Sequence, residues 1–369
     1  MVLFPLYSNF FMSYPSSLRE AETLVVNFHR RYAGVAATMR ALVPVQQGLR
    51  STVFLDSSCM GLEGTISPKE IFQHGWSVPP GCSRRIWHSR RPLDQVFGLF
   101  CKYVLRQPWE LIYTSPSPRR HGLLWRAIVN RSAAIIAVTD KAASFLDWHT
   151  GIVPHGVDVK EFYPPADKQI AWQESGLPGE YGIGVFGRIR PDKGTDLFVS
   201  AMCKVLPASP DFTAVIAGLC KPKHRGFRAH LARKIKAAGL EKRIVFLGDL
   251  DFADIKRWYQ RVSLCVAVPR SEGFGLTPLE AMASGAAALT SSEGCFPQLI
   301  VPGVNGEIVP TDDLVALSNT LESMLVNPDK LLRMGEQARN HIADHHSIEH
   351  EAESIHAIYD AVLAEAEGN

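Results

Sequence analysis

The sequence predicts an α/β protein of two doubly wound domains facing a cleft, and three observations carry that prediction. Its 369 residues exceed what one hydrophobic core serves and suit two domains of ordinary size. Short apolar runs alternate with helix-period segments along the chain, the pattern of strands joined by crossover helices in parallel sheets. A composition of 46% hydrophobic and 21% charged residues supplies apolar area for such cores and excludes a disordered chain.

In the first half the apolar runs Ser51–Leu55, Arg84–His88, Leu111–Thr114, Ala134–Val138 and Gly151–Val153 read as strands. The segment Pro154–Pro165 carries His155-Gly156-Val157-Asp158 and ends in a Pro-Pro pair. It places the inter-domain hinge there or just after, giving domains of residues 1–165 and 166–346. The second half reads more clearly, with buried strands at Tyr181–Phe186, Thr213–Ala217, Arg243–Leu247, Leu264–Val268 and Ala286–Thr290. Helices are predicted between them at Thr195–Val205, Phe227–Ala238, Phe252–Gln260 and Pro278–Ser284. From residue 347 to 369, Ile348, Ala352, Ile355, Tyr359 and Val362 recur at helical spacing and predict one amphipathic helix.

A formal net charge of +2 nominates no nucleic-acid partner. Locally, Arg84 to Arg131 holds ten Lys/Arg against two acids, and Lys221 to Lys236 holds seven against none. Such runs are either solvated faces or attractors of an anionic acceptor or membrane surface. The seven cysteines are scattered, without a CxxC pair, and several lie in apolar runs such as Leu264-Cys265-Val266; they read as free thiols of a reducing compartment. Met1–Tyr14 lacks a basic n-region and a small-residue cleavage site, and no run reaches the roughly 18 apolar residues of a membrane span. The expectation is a cytoplasmic protein, with peripheral contact to the cytoplasmic face of the inner membrane left open.

The most informative segment is Pro269-Arg-Ser-Glu272-Gly273-Phe274-Gly275-Leu276-Thr277-Pro278-Leu-Glu280. It follows a buried strand and opens a helix. Thr277 as N-cap, Pro278 at the first helical position and Glu280 three residues after the cap spell a capping box. The loop then delivers free amides and a positive dipole end to a ligand, which suits an anion. Gly273 and Gly275 admit close backbone approach. Glu272 is either a surface carboxylate or an acceptor for the hydroxyls of a polyol. A second segment, Gly187-Arg188-Ile-Arg190-Pro-Asp-Lys193-Gly194, runs from a strand through three cations into a helix. Arg188 offers a planar fork and Lys193 a compact charge, so together they can hold a diphosphate and stabilise its departure without metal.

Glu272-x7-Glu280 preceded by Gly187-Arg188-x4-Lys193-Gly194 resembles the signature of the retaining GT-B glycosyltransferases of family 4. Pro154-His-Gly-Val-Asp158, Phe162-Tyr-Pro164, Gly248 with Trp258-Tyr259, and Pro302-Gly-Val-Asn-Gly306 match further blocks of that family. Asn27-Phe-His-Arg-Arg-Tyr-Ala-Gly34 and Trp87-His88-Ser-Arg-Arg91 are most similar to bacterial mannosyltransferases of the lipopolysaccharide core. The resemblance implies the GT-B fold, two Rossmann-like domains, with the last helix packing back across them. It implies an α-mannosyltransferase using GDP-mannose as donor, no metal or other cofactor, and a glycolipid or oligosaccharide acceptor. Arg188 and Lys193 would bind the diphosphate, Glu272 the transferred sugar and Glu280 the ribose. Gly273, Phe274, Gly275, Leu276 and Thr277 would line the donor loop, and Gly34 would approach the diphosphate from the other domain. His88 is either the histidine beside the reacting carbon or a core histidine ending a strand. Departures exist: a single Gly34 replaces the usual Gly-Gly pair, and Gln298 replaces a usual Glu. A UDP- or ADP-sugar donor, or a non-catalytic nucleotide-sugar-binding subunit, are the alternatives.

Three motif matches are set aside. Gly182-x-Gly184-x-x-Gly187 lies inside a strand rather than after one, against a dinucleotide fingerprint. Asp249-Leu-Asp251 resembles a metal-binding DxD but is expected to cap a helix. His346-x-x-Glu349-His350 would put two histidines on one helix face, as zinc ligation needs, yet that helix carries an apolar stripe.

Overall fold

The computed structural model describes residues 15–29, 34–57, 61–116 and 122–368. The chain forms two compact units. One runs up to Val153 and is resumed at Ala352; the other is Pro154–Glu351. The division thus falls at the start of the proline-bounded segment, so that the whole of it, and residues 347–351, belong with the second unit.

The first unit holds seven strands: β1 (Thr23–Asn27), β2 (Thr52–Asp56), β3 (Thr65–Ile66), β4 (Arg85–Ser89), β5 (Trp109–Ser115), β6 (Ala134–Ala137) and β7 (Gly151–Ile152). They lie in the order β3-β2-β1-β4-β5-β6-β7, all parallel. β1, β4 and β6 are buried throughout, as parallel strands covered on both faces are; β6 and the centre of β1 are apolar, whereas β4 carries Arg85, His88 and Ser89 into the interior. The predicted last helix is observed as Ile348–Gly368, and Ile348, Ala352, Ile355, Tyr359 and Val362 are all buried.

The second unit holds β8 (Tyr181–Phe186), β9 (Phe212–Ala217), β10 (Ile244–Gly248), β11 (Val262–Ala267), β12 (Ala287–Ser291) and β13 (Gly306–Val309). Their order is β10-β9-β8-β11-β12-β13, again all parallel. Helix Thr195–Val205 falls on its predicted residues, and the observed Phe252–Arg261 is one residue longer than expected. Gly182 and Gly184 lie inside β8, where a Cβ would meet the rings of Trp172 and Phe186 at 2.3 Å. Close packing, not phosphate binding, explains these two glycines.

In the second sheet the winding direction reverses between β8 and β11. Loops leaving the carboxyl ends of two such strands part to opposite faces, leaving the crevice in which doubly wound sheets bind ligands. Both charged motifs are the loops at that position.

Candidate active site

The loop after β8 leaves through Gly187 and turns into helix Thr195–Val205 at Gly194, whose φ is +70°. A Cβ at Gly194 would lie 1.9 Å from the carbonyl oxygen of Val268, so only glycine lets this turn pass against the end of β11. Arg270, two residues further on, fastens the two loops. Its amide donates to the Asp192 carbonyl at 2.9 Å. Its guanidinium donates to both oxygens of Asp196 at 2.9 and 2.8 Å, to Asp312 at 2.8 Å and to the Pro191 carbonyl. A planar five-donor fork serves this better than any other side chain.

Clamped in this way, Lys193 and Glu272 form an ion pair. Glu272 also accepts the Gly273 amide at 3.0 Å, and both side chains keep partial solvent exposure. Arg188 is exposed and makes no hydrogen bond or ion pair with another described residue. Arg190, the third cation of the loop, is paired with Asp192 at 2.7 Å. The site therefore presents one free guanidinium, one shared ammonium and one carboxylate at the ends of β8 and β11.

The donor loop differs from its sequence expectation at the helix start. Helix Leu276–Ala283 begins with Gly275 as N-cap at φ +101°, so Thr277 is already helical and the capping box does not form. A Cβ on Gly275 would meet the ring of Phe296 at 2.2 Å; Phe296 backs the loop and glycine is obligatory. Glu280 consequently points elsewhere, accepting a hydrogen bond from the Tyr259 hydroxyl at 2.8 Å. Loss of hydration pushes the Glu280 carboxyl up to about 7, with the Tyr259 bond opposing. Burial and the neighbouring carboxylate raise Tyr259 well above the usual phenol range. Lys168 braces the same two helices, its ammonium donating to the carbonyls of Tyr259, Gln260 and Ser284 at 3.2, 2.9 and 2.8 Å.

In the first unit, Gly34 is the first residue of helix Gly34–Leu49 rather than a loop residue, and Arg30–Ala33 of that motif lie outside the described residues. His88 is fully buried on β4. Its Nδ1 and Nε2 are engaged by the hydroxyls of Tyr359 and Thr114, the latter at 2.7 Å. Burial, then Arg90, hold its pKa well below the usual histidine range. Both ring nitrogens are thus committed within that unit.

The basic run Arg84–Arg131 is not one charged face. Arg85 and Arg90 are buried, with Arg85 stacked on Trp109 and donating to the His74 carbonyl at 2.8 Å. Arg84 and Lys102 pair with Glu110, and Arg126 with Asp147. Arg119 and Arg120 lie outside the described residues. Asp251 caps its helix through the Asp254 amide at 2.8 Å, as expected. The two histidines of His346-x-x-Glu349-His350 do not share a helix: His346 closes Pro328–His345, and the next helix begins at Ile348. Among the cysteines, Cys101, Cys265 and Cys295 are buried free thiols, Cys82, Cys203 and Cys220 are half-buried, and Cys59 is not described.

Arg270, Tyr259 and Lys168 were not legible as site residues. Each acts through partners 74, 21 and about 100 positions away in sequence; the local signals are an arginine inside the donor-loop motif and a Trp258-Tyr259 block with no role attached to it.

Comparison with known proteins bears on the same region. The model of the family "Glycosyl transferases group 1" matches residues 167–341, which include both loops. The lipopolysaccharide core biosynthesis mannosyltransferase LpcC of Rhizobium leguminosarum bv. viciae is 38% identical over 351 residues, 94% of this chain and 98% of that protein. Among solved structures, the C-terminal domain of a glycosyl transferase group 1 family protein (LpcC) from Francisella tularensis is 36% identical. It covers 52% of this chain and 99% of its own, with a TM-score of 0.50. Anabaena Alr3699/HepE, solved in complex with UDP, superposes with a TM-score of 0.74 over 92% of this chain and 100% of its own. At 17% identity that likeness is one of fold.

Proposed function

The chain belongs to the group 1 glycosyltransferases, and from that membership we propose that it is a retaining enzyme moving mannose from GDP-mannose onto a lipopolysaccharide core or similar glycolipid. It is a glycosyltransferase of GT-B fold. The mannose reading is supported by the 38% identical relative, whose name states that activity. The observation that carries the site assignment is the Lys193–Glu272 pair beside the exposed Arg188 at the β8/β11 switch point.

In this reading Arg188 takes two oxygens of the donor diphosphate and Lys193 a third, while the amides at Gly275–Thr277 face the same anion. Phosphate oxygens compete with Glu272 for Lys193, which turns the carboxylate toward sugar hydroxyls. Glu280 accepts from the ribose hydroxyls. The acceptor hydroxyl attacks the anomeric carbon from the face that the phosphate leaves, through an oxocarbenium-like state. The new C–O bond forms as the bond to phosphate breaks, and the acceptor proton passes to a leaving-phosphate oxygen. Fixed cations lie where negative charge grows, so they favour the transition state over the bound donor. We assign this step no metal or cofactor.

With such an acceptor, the proposal extends to a cytoplasmic enzyme in peripheral contact with the cytoplasmic face of the inner membrane. No helix among the described residues is long and apolar enough to cross a membrane. The test is transfer to a deacylated core oligosaccharide from labelled GDP-mannose, UDP-glucose, UDP-GlcNAc and ADP-heptose, each with and without a chelator. Transfer from GDP-mannose alone, undiminished by chelation, is expected. Transfer from another donor, loss on chelation, or donor binding without transfer would each overturn the corresponding part.

A further inference from the structure

The two points at which the chain enters and leaves the second unit are fastened to each other. Val157 and Ser347 form an isolated parallel bridge, with the Val157 amide donating to the His346 carbonyl at 2.9 Å and the Ile348 amide to the Val157 carbonyl at 3.0 Å. Gly156 is required for this approach, since a Cβ there would lie 2.3 Å from the Ser347 carbonyl oxygen. The contact is completed by a buried polar pair, with His155 5% and Glu351 4% exposed. Nδ1–H of His155 donates to Oε1 of Glu351 at 2.9 Å, and the Gly156 amide donates to Oε2 at 2.8 Å.

The imidazole has a second neighbour. It packs edge-on against the ring of Phe274, centroid to centroid 4.7 Å. Phe274 lies between Glu272 and the amides at Gly275–Thr277, and its carbonyl accepts the Cys295 amide at 2.9 Å. On that side space is closed as well: a Cβ on Gly294 would stand 2.3 Å from the Phe274 carbonyl oxygen. The loop is therefore held between Gly294–Cys295 and the His155 ring. If filling space were all that mattered, an aliphatic side chain would do so without burying two polar groups. A carboxylate that accepts from both the ring and the backbone beside it fixes the ring plane, as satisfied buried polar groups do.

We propose that His155 and Glu351 are positioning residues for the donor loop: the Glu351 carboxylate orients the His155 ring, and that ring sets the position of Phe274, hence of Glu272 and the loop amides. Neither touches donor or acceptor. The assignment rests on the donor reading of the loop given above. Its signature is specific. Displacing Phe274 shifts the diphosphate amides and the sugar carboxylate together, so donor affinity falls while acceptor affinity does not.

The test measures donor and acceptor KM, kcat and melting temperature for wild type, His155→Phe, His155→Leu and Glu351→Gln, with GDP, UDP and ADP affinity by calorimetry. His155→Phe keeps the ring contact and loses the Nδ1–H donor; His155→Leu loses both. Expected is a donor KM and nucleotide Kd raised about tenfold in His155→Leu, the 1.4 kcal/mol scale of one well-placed contact. Smaller rises are expected in His155→Phe and Glu351→Gln, with acceptor KM unchanged throughout. A purely structural role would lower melting temperature and active fraction while leaving donor KM and Kd at wild-type values, and that result overturns the proposal. If His155→Leu fails to fold, the two conservative variants carry the same decision. Failure of wild type to bind any of the three nucleotides would instead remove the donor reading, an outcome distinct from wild-type binding matched by all variants.

Discussion

Donor binding should release a proton from Glu280, and the amount can be worked out from its surroundings. Burial holds this carboxyl near 7 in the free protein, so it is about nine-tenths ionised at pH 8 and about one-tenth at pH 6. Ribose hydroxyls donate more strongly to the ionised carboxylate than to the neutral acid, and their bonds lower its pKa in the complex. Donor affinity therefore rises with pH across this window, by about tenfold between pH 6 and 8, with up to one proton released per donor bound. A nucleotide sugar is the right probe, because its diphosphate diester does not titrate in the same range. Calorimetry at pH 6, 7 and 8, in buffers of differing ionisation enthalpy, reads both affinity and proton number. Glu280→Gln, which can still accept the Tyr259 hydroxyl, should flatten the profile. The same group also shapes the stability of the free protein. A carboxyl whose folded pKa lies above its unfolded value makes folding less favourable as pH rises through the interval between them. The melting temperature of Glu280→Gln should accordingly fall less than that of wild type between pH 4.5 and 7. A wild-type affinity independent of pH, or an equal slope in Glu280→Gln, would refute the assignment of this group to the ribose.

Other expectations follow from the same contacts. Arg270→Ala removes the fork that binds Asp196 and Asp312 and should cost about 1–3 kcal/mol in urea unfolding; Arg270→Lys should recover less than half, because one ammonium cannot span both carboxylates. Gly194→Ala combines a positive φ with a Cβ 1.9 Å from a backbone carbonyl oxygen. It should lose about 3 kcal/mol or more, or fail to accumulate as folded protein. His88 has a folded pKa below its unfolded value, so the folded state resists its protonation. Its contribution is intact above pH 6.5 and erodes on acidification by as much as about 1.4 kcal/mol per pH unit. His88→Gln should flatten stability between pH 6.5 and 5 without changing donor Kd.

Both sheets were legible in outline because parallel strands buried on two faces are mostly apolar runs, and β8 was readable to the residue. What escaped was short or diluted. β3 has two residues, and β13 begins with Gly306-Glu307, which masks its strand character. β1 stands between acidic residues and an unpatterned segment. The two halves of the site were legible as chemistry, cations after one strand and carboxylates after another, because adjacency of β8 and β11 follows from double winding. Their fastening was not, since Arg270 finds Asp196 and Asp312 only in three dimensions.

The capping box failed for a physical reason. Thr-Pro-x-Glu has the right spacing, but Gly275 lets the chain enter the helix two residues early, and Tyr259 captures the carboxylate from another helix. Charge counting failed similarly over Arg84–Arg131: Arg85 and Arg90 are core residues, so a run of basic letters overstated a surface. In sequence alone His88 carries two readings. The structure shows both of its nitrogens bonded inside the first unit, an arrangement a one-dimensional pattern cannot distinguish from a strand-end histidine open to solvent.

The decisive measurement is the anomeric configuration and rate of sugar transfer by wild type, Glu272→Gln and Lys193→Ala, with the product followed by NMR. A product of retained configuration is expected from wild type. Glu272→Gln should lower kcat by about 10²-fold or more while nucleotide affinity is kept, and Lys193→Ala should weaken nucleotide binding itself. An inverted product, or a Glu272→Gln enzyme as active as wild type, would contradict the assignment of these two loops as the site of transfer.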